Sequence, residues 1–262
     1  MSTSVPESAH VPTGPFTLSI DIGGTGLKAS VLDATGAMVA DRVRIPTAYP
    51  CSPQKLVDDL AGLVAPLPTF DRISAGFPGM VREGHILTAP HFTTTAGPGS
   101  DIDRELVKLW NHFPLADELA SHLGKPAKVA NDADLQGAAV VQGKGLELVI
   151  TLGTGFGTGL FYSARLLPHM EFAHTTFRKG ETYNQQLGEV TRKQIGETRW
   201  NRRVRKAITV LRDLMFFDHC YIGGGNARRI DFELDADVTM VDNSAGILGG
   251  IKLWESKGHI GL

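Results

Sequence analysis

The chain has 262 residues, 42% hydrophobic and 21% charged, with a formal net charge of −2 at pH 7. That balance describes a water-soluble globular protein with room for one large domain or two smaller ones, and it argues against a chain built mainly to coat nucleic acid or an anionic membrane. Cys51 and Cys220 are the only cysteines, too few for a disulfide framework or a Cys-rich structural zinc site, so no structural zinc is expected and a reducing cytoplasm fits best.

The first 15 residues, "MSTSVPESAHVPTGP", are polar and proline-rich and lack the basic and apolar regions of a signal peptide; they read as a flexible tail, too short for a helix-turn-helix module. From Phe16 the pattern has period two: Phe16, Leu18, Ile20 and Ile22 share one face, and Thr17, Ser19 and Asp21 the other. "LKASVL" and "GAMVADRVRI" read as two further strands separated by the turn "DATG", a β-meander with Asp21 at its first bend. "SPQKLVDDLAGLV" carries Leu56, Val57, Leu60, Leu63 and Val64 at helical spacing, and "RISAGFPG" is a short buried strand ending in a Gly-Pro loop.

"AKVANDADLQGAAVV" reads as strand, tight turn and helix, and "LELVITLGTGFGTGLFYSARL" as strand, Gly-rich turn and strand. The uncharged run from Leu148 to Ala164 is interrupted by four glycines, which argues against a membrane helix. "HCYIGGGNARR" reads as a strand entering a Gly-rich helix start, and "VTMVDNSAGILGGIKLWES" as a last strand and a C-terminal helix. Strands alternating with helices after a meander make this an α/β protein. "SIDIGGTGLKASVL" and "VITLGTGFGTGLFY" share a strand–Gly/Thr turn–strand plan, the mark of two related halves or a chance echo between β-hairpins.

Neither turn has the G-x-x-x-x-G-K-[ST] spacing of a P-loop. Neither has a G-x-G-x-x-G opening a helix, since the residues after Gly26 alternate as a strand and position 158 is Thr158. What remains is a hairpin turn whose amides face a phosphate, its glycines letting the oxygens approach the main chain; the alternative is a tight hairpin with ordinary turn glycines. Asp21 at the bend suits Mg²⁺, which takes one or two carboxylates and keeps several waters. Asn131-Asp132, where a strand turns into a helix, also fits a simple N-cap.

The order D-I-G-G-T (Asp21–Thr25), N-D-A (Asn131–Ala133), L-G-T-G (Leu152–Gly155) and G-G-G (Gly223–Gly225) resembles the sugar kinases of the ROK family, of the actin/hexokinase-like superfamily, over nearly the whole chain. Within that family it is most similar to the members that use inorganic polyphosphate as well as ATP to phosphorylate glucose, or glucose and mannose. The resemblance implies a two-domain actin-like (ribonuclease H-like) fold with an interdomain cleft: a tail over 1–15, a first α/β domain over 16–130 joined by the C-terminal helix at about 245–262, and a second over 131–244.

It further implies phosphate contacts at Gly23, Gly24, Thr25, Gly26 and Lys28 from one side and at Gly153, Thr154 and Gly155 from the other, with Gly223, Gly224 and Gly225 by the adenosine or outer phosphates. Asp132 is then the general base for the sugar 6-hydroxyl, and Asn131, Glu171, His174, Pro78, Gly79 and His91 are sugar contacts. Glu171 and His174 match an E-x-G-H motif with Ala173 in place of glycine, and His91 stands where relatives often have asparagine. The sugar-binding acid that a zinc motif supplies in some relatives has Glu181 or Glu189 as its substitute. A metal site from His169, Glu171 and His174 lacks the H-E-x-x-H spacing of zinc proteases.

The densest basic run, Arg178 to Arg212, lies partly on a helix whose apolar stripe is Trp200, Val204, Ile208, Leu211 and Met215. It is a solvated face or, with Arg202, Arg203 and Arg205, a track for polyphosphate; the net charge and lack of a recognised module disfavour nucleic acid. The expected activity is Mg²⁺-dependent transfer of phosphate from ATP or polyphosphate to the 6-hydroxyl of glucose and mannose, by a cytoplasmic monomer or homodimer without membrane attachment. The alternatives are a sugar-sensing ROK-type regulator, an ATP-dependent kinase of another hexose, and an actin-like ATPase.

Overall fold

A computed structural model describes residues 11–241 and 245–255. The period-two stretch forms β1 (Thr17–Ile22), which buries Leu18, Ile20 and Ile22 and leaves Asp21 exposed. It pairs antiparallel with β2 (Gly26–Leu32), which pairs antiparallel with β3 (Val43–Pro46). This third strand is shorter than "GAMVADRVRI" suggests: Asp33 Oδ1 accepts from the Thr35 and Ala37 amides and holds a turn there, so Met38 makes only a single bridge to Leu32. Helix α1 (Pro53–Val64) starts at Ser52, whose hydroxyl accepts from the Lys55 amide, and buries the expected leucines and valines. Then come β4 (Arg72–Phe77), the small hairpin β5 (Val81–Arg82) and β6 (His85–Ile86), α2 (Arg104–Trp110), α3 (Leu115–Leu123) and β7 (Ala127–Asn131). The sheet order is β3-β2-β1-β4-β7, with β1, β4 and β7 parallel.

Helix α4 (Asp132–Ala138) leads into the second half, with β8 (Leu146–Leu152), β9 (Phe156–Tyr162) and β10 (Arg165–Leu166). After the hairpin β11 (Thr176–Arg178) and β12 (Glu181–Thr182) come three helices, α5 (Tyr183–Leu187), α6 (Glu189–Ile195) and α7 (Glu197–Met215). Strands β13 (His219–Gly223) and β14 (Val238–Met240) and helix α8 (Ala245–Glu255) close the described chain. The second sheet runs β10-β9-β8-β13-β14, with β8 antiparallel to β9 and parallel to β13. Its plan repeats that of the first sheet, so the echo between the two Gly/Thr hairpins belongs to a duplicated architecture. This is the mixed α/β, two-domain actin-like fold that the sequence implies. After β13 the chain forms a 3₁₀ turn at Ala227–Arg229 instead of a full helix, because the Asn226 amide is tied to the Leu152 carbonyl.

Each sheet has its own apolar core, one around Leu18, Ile20, Phe77 and Trp110, the other around Leu152, Trp200, Val204 and Ile222. Helix α8 returns to the first sheet: Lys128 Nζ donates to the Leu253 carbonyl, Trp254 Nε1 donates to Ser74 Oγ, and Lys128 and Arg72 stand over the Trp254 ring. The helix also meets α4 so closely that a Cβ on Gly249 would collide with the Leu135 carbonyl. Gly249→Ala should therefore lower the stability by about 2 kcal/mol or more, read as a fall in thermal midpoint and loss of activity together; a midpoint within a degree of wild type would show that the contact has slack.

Candidate active site

A cavity of about 870 Å³ lies between the two hairpins. From the first sheet, Gly23 N–H donates to the Gly26 carbonyl at 3.0 Å and closes the β1–β2 turn. Behind it, Thr47 Oγ1 donates to the Gly23 carbonyl and Tyr49 Oη to the Gly24 carbonyl, both at 2.6 Å. From the second sheet, Gly153 N–H donates to the Gly155 carbonyl at 3.0 Å, and Asn226 Nδ2 donates to the Gly153 carbonyl at 2.8 Å. Asn184 Oδ1 accepts the Phe156 amide at 2.9 Å. Carbonyls that would repel an anion are thus occupied from behind. Among the described residues, the amides of Gly24, Thr25, Thr154, Gly155, Gly224 and Gly225 have no acceptor, and all six residues line the cleft. Unpaired main-chain amides converging on one space are an anion cradle. Gly24 is required there, since a Cβ would lie 2.9 Å from His91 and Pro98.

Asn131 and Asp132 arrive at the end of β7. The N-cap reading of Asn131 describes its geometry: Oδ1 accepts the Ala133 amide at 2.8 Å, while Nδ2 donates to the Gly79 carbonyl at 3.0 Å and ties α4 to the Gly-Pro loop. Asp132 Oδ1 also accepts the Ala133 amide at 2.8 Å. Burial raises the Asp132 pKa to about 6; the amide bond opposes this, and the charges of Asp21, Asp134 and Glu171 add to it. Asp21, at the cleft edge, pairs with Lys28 Nζ at 2.9 Å. His91 is half-buried in the cleft wall, and burial lowers its pKa.

Pro78, Gly79, His91, Glu171 and His174 line the same cavity, as do Asp21, Lys28, Gly23, Gly153, Asn131 and Asp132. Gly26 and Gly223 do not line it: the first closes its turn through its carbonyl, and the second ends β13. Neither Glu181 nor Glu189 reaches it; Glu189 pairs instead with Lys193 at 2.8 Å on α6. None of the arginines from Arg178 to Arg212 lines it either, and two are consumed by acids, Arg192 by Glu189 and Glu197 and Arg212 by Asp235 and Asp237.

Two contributors carry no spacing signal. Arg42 reaches the cleft from the loop before β3. His169 binds Asp134 Oδ2 through Nδ1 at 2.9 Å, and its Nε2 lies 3.5 Å from Glu171 Oε2. No group of three potential His, Cys, Asp or Glu ligands is assembled among the described residues. No helix among them is long and apolar enough to cross a membrane.

The model of the ROK family matches residues 17–174. The chain belongs to the ROK family. A polyphosphate glucokinase from Mycobacterium tuberculosis strain CDC 1551 / Oshkosh is 26% identical over 95% of this chain and 96% of its own. Among solved structures, an inorganic polyphosphate/ATP-glucomannokinase from Arthrobacter sp. strain KM superposes with a TM-score of 0.75, at 26% identity, over 93% of this chain and all of that one (100%). A ROK family glucokinase from Streptomyces griseus, solved with glucose and AMPPNP, matches with a TM-score of 0.69 at 19% identity, over 91% of this chain and 98% of its own, a likeness of fold. The chain is accordingly a phosphotransferase with an alcohol acceptor.

In this ROK protein the first Gly-rich turn is held in shape by Tyr49 and Thr47 from outside the motif. Tyr49→Phe should raise the Michaelis constant for the phosphoryl donor roughly threefold to tenfold with a melting temperature lowered by only a few degrees. An unchanged constant would show that the turn keeps its shape without that bond.

Proposed function

We propose that the protein is a hexokinase that transfers the terminal phosphate of ATP or inorganic polyphosphate to the 6-hydroxyl of glucose, and of mannose. One observation carries this reading: Asp132, a carboxyl whose pKa is raised to about 6, shares one cleft with unpaired amides from both Gly-rich hairpins. The names of the polyphosphate glucokinase and glucomannokinase relatives support the donor and the sugars. The division into residues 16–130 with the C-terminal helix and residues 131–244 belongs to the same reading; the bonds of α8 to Ser74 and Lys128 support it up to Glu255, residues 242–244 and 256–262 lying outside those described.

In the proposed reaction Asp132 accepts the proton of the sugar 6-hydroxyl as that oxygen attacks the terminal phosphorus and the bond to the donor's bridging oxygen breaks. Asn131, Glu171 and His174 orient the ring hydroxyls, with Pro78, Gly79 and His91 closing the wall. Gly24, Thr25, Thr154 and Gly155 take the negative charge of the transferring group through their amides. Asp21 presents one carboxylate to the cleft and would hold a magnesium ion, completed by water and phosphate oxygens, in place of its present pair with the Lys28 ammonium. Magnesium, when bound, neutralises charge on the phosphates.

The test is a matrix of hexoses against ATP and polyphosphate, with and without Mg²⁺. Turnover of glucose and mannose with Mg²⁺ is expected, and none in any cell would leave the sugar-sensing regulator as the better account. Asp132→Asn should lower kcat by three orders of magnitude or more while hexose still binds by calorimetry; a retained kcat would remove Asp132 as the base. Since the base is the ionised form and its pKa is raised, wild-type kcat should fall as pH drops through about 6, well above the range of an ordinary aspartate.

The proposal extends to the basic run. Burial, together with the neighbouring charges of Arg178 and Arg199, lowers the Arg203 pKa, so these side chains crowd one another and would welcome an anion. Replacing exposed Arg199 and Arg202 together by alanine should raise KM for long polyphosphate and leave KM for ATP within twofold. Equal effects on both donors would remove the track.

A further inference from the structure

His169 is 6% exposed, yet its two ring nitrogens face two carboxylates. Nδ1 lies 2.9 Å from Asp134 Oδ2, on the inner face of α4, and Nε2 lies 3.5 Å from Glu171 Oε2, at the cleft wall. Both side chains of the His169–Asp134 pair are only 3% exposed, and Glu171 is 23% exposed, so the ring joins a fully enclosed acid to one that opens on the cavity. Asp134 Oδ1 and His169 Nε2 have no hydrogen-bond partner among the described residues, and His169 itself lines the cleft. A buried polar atom without a partner is costly, and the group within reach of Nε2 is the Glu171 carboxylate.

We propose that His169 is a positioning residue: anchored by Asp134, it carries a positive charge that holds Glu171 ionised and aimed at the hydroxyls of the bound hexose. This rests on the hexokinase reading above. Five titratable neighbours define the balance. Asp134 and Asp132 come from α4, Glu171 and His174 from the segment after β10, and Asp21, from the end of β1, acts on Asp132.

Burial alone would discharge the ring, but its bond to Asp134, the approach of the Glu171 carboxylate and the charges of both overcome that and raise its pKa to about 10. Burial pushes Asp134 up as well, opposed by the imidazolium; two carboxylates against one ring put the proton on His169. Burial also acts to raise Glu171, and the nearby imidazolium of His169, helped by His174, outweighs it and holds its pKa below the ordinary value. A hexose hydroxyl therefore meets an acceptor-only carboxylate across the working pH range. With the ring discharged, Glu171 would take up a proton in its half-buried place and lose one acceptor.

Two-bond ¹H–¹⁵N correlation spectra of the wild-type protein should show His169 as the imidazolium at pH 8; a neutral ring at pH 7 would overturn the proposal whatever the variants do. His169→Asn keeps a donor toward Asp134 and removes the Glu171 contact. It should raise the hexose Kd and KM roughly tenfold with kcat within about threefold of wild type. It should also move the acid limb of the hexose association constant, read by calorimetry apart from the Asp132 step in turnover, to higher pH, because Glu171 regains its affinity for protons. A merely structural histidine would shift the melting temperature but not this limb. A folded His169→Asn protein with unchanged hexose affinity and unchanged acid limb would overturn the proposal. His169→Gln, whose amide reaches toward the Nε2 position, should recover part of the lost affinity. Absence of hexose binding and turnover in the wild-type protein would instead remove the hexokinase reading and the sugar half of this one; a neutral His169 in a protein that binds hexose would remove the clamp alone.

Discussion

The contact between Gly249 and the Leu135 carbonyl sets the placement of α4, and both walls of the cleft depend on that helix. Helix α4 grows directly out of β7 in the first sheet, yet packs against β8 and β9 in the second. Its N-terminus brings Asn131 and Asp132 to the cavity, and its next turn sends Asp134 inward to His169. Helix α8 can press on it this tightly only because position 249 lacks a side chain beyond Cα. From there α8 reaches back to Ser74 and Lys128 on the first sheet. One short helix, clamped from both directions, thus carries the base of the proposed reaction.

Charge is the second organising constraint. The cleft proposed to take a phosphate donor holds Asp21, Asp132 and Glu171 on its walls and Asp134 behind them, a collection that would repel an anion if nothing answered it. The answers are local. Lys28 pairs with Asp21, His169 lies between Asp134 and Glu171, and the hairpin amides present partial positive charge that needs no counter-ion. Among the described residues Asp132 has no cationic partner, so burial and the neighbouring acids hold its proton affinity high. That suits the proton-accepting task proposed for it.

The two hairpins work as a pair because the sheets they belong to share one plan. In each, an antiparallel pair is followed by parallel strands on the same side, so the equivalent turn emerges at the equivalent sheet end. The supports differ: Thr47 and Tyr49 hold the first turn, Asn184 and Asn226 the second. In both, donors or acceptors from distant segments fix a main chain that the glycines would otherwise leave free.

Local pattern by itself determined much of this protein. The period-two run at Phe16, the helical spacing of Leu56 to Val64 and the strand–turn–helix at Asn131 read correctly because burial on one face imposes a period on the chain. The four ordered motifs marked the ROK family and most of the cleft, since main-chain approach to phosphate demands glycine at set positions. The shortened β3 and the 3₁₀ turn after β13 were not legible, for each is decided by a hydrogen bond, from Asp33 or to Leu152, that competes with the local preference. Glu181 and Glu189 had the right chemistry and the wrong place. His169, Arg42, Tyr49 and the Gly249 contact belong to tertiary structure alone. Each acts across a long sequence separation or through a partner of ordinary spacing, and distance in space leaves no period in a sequence.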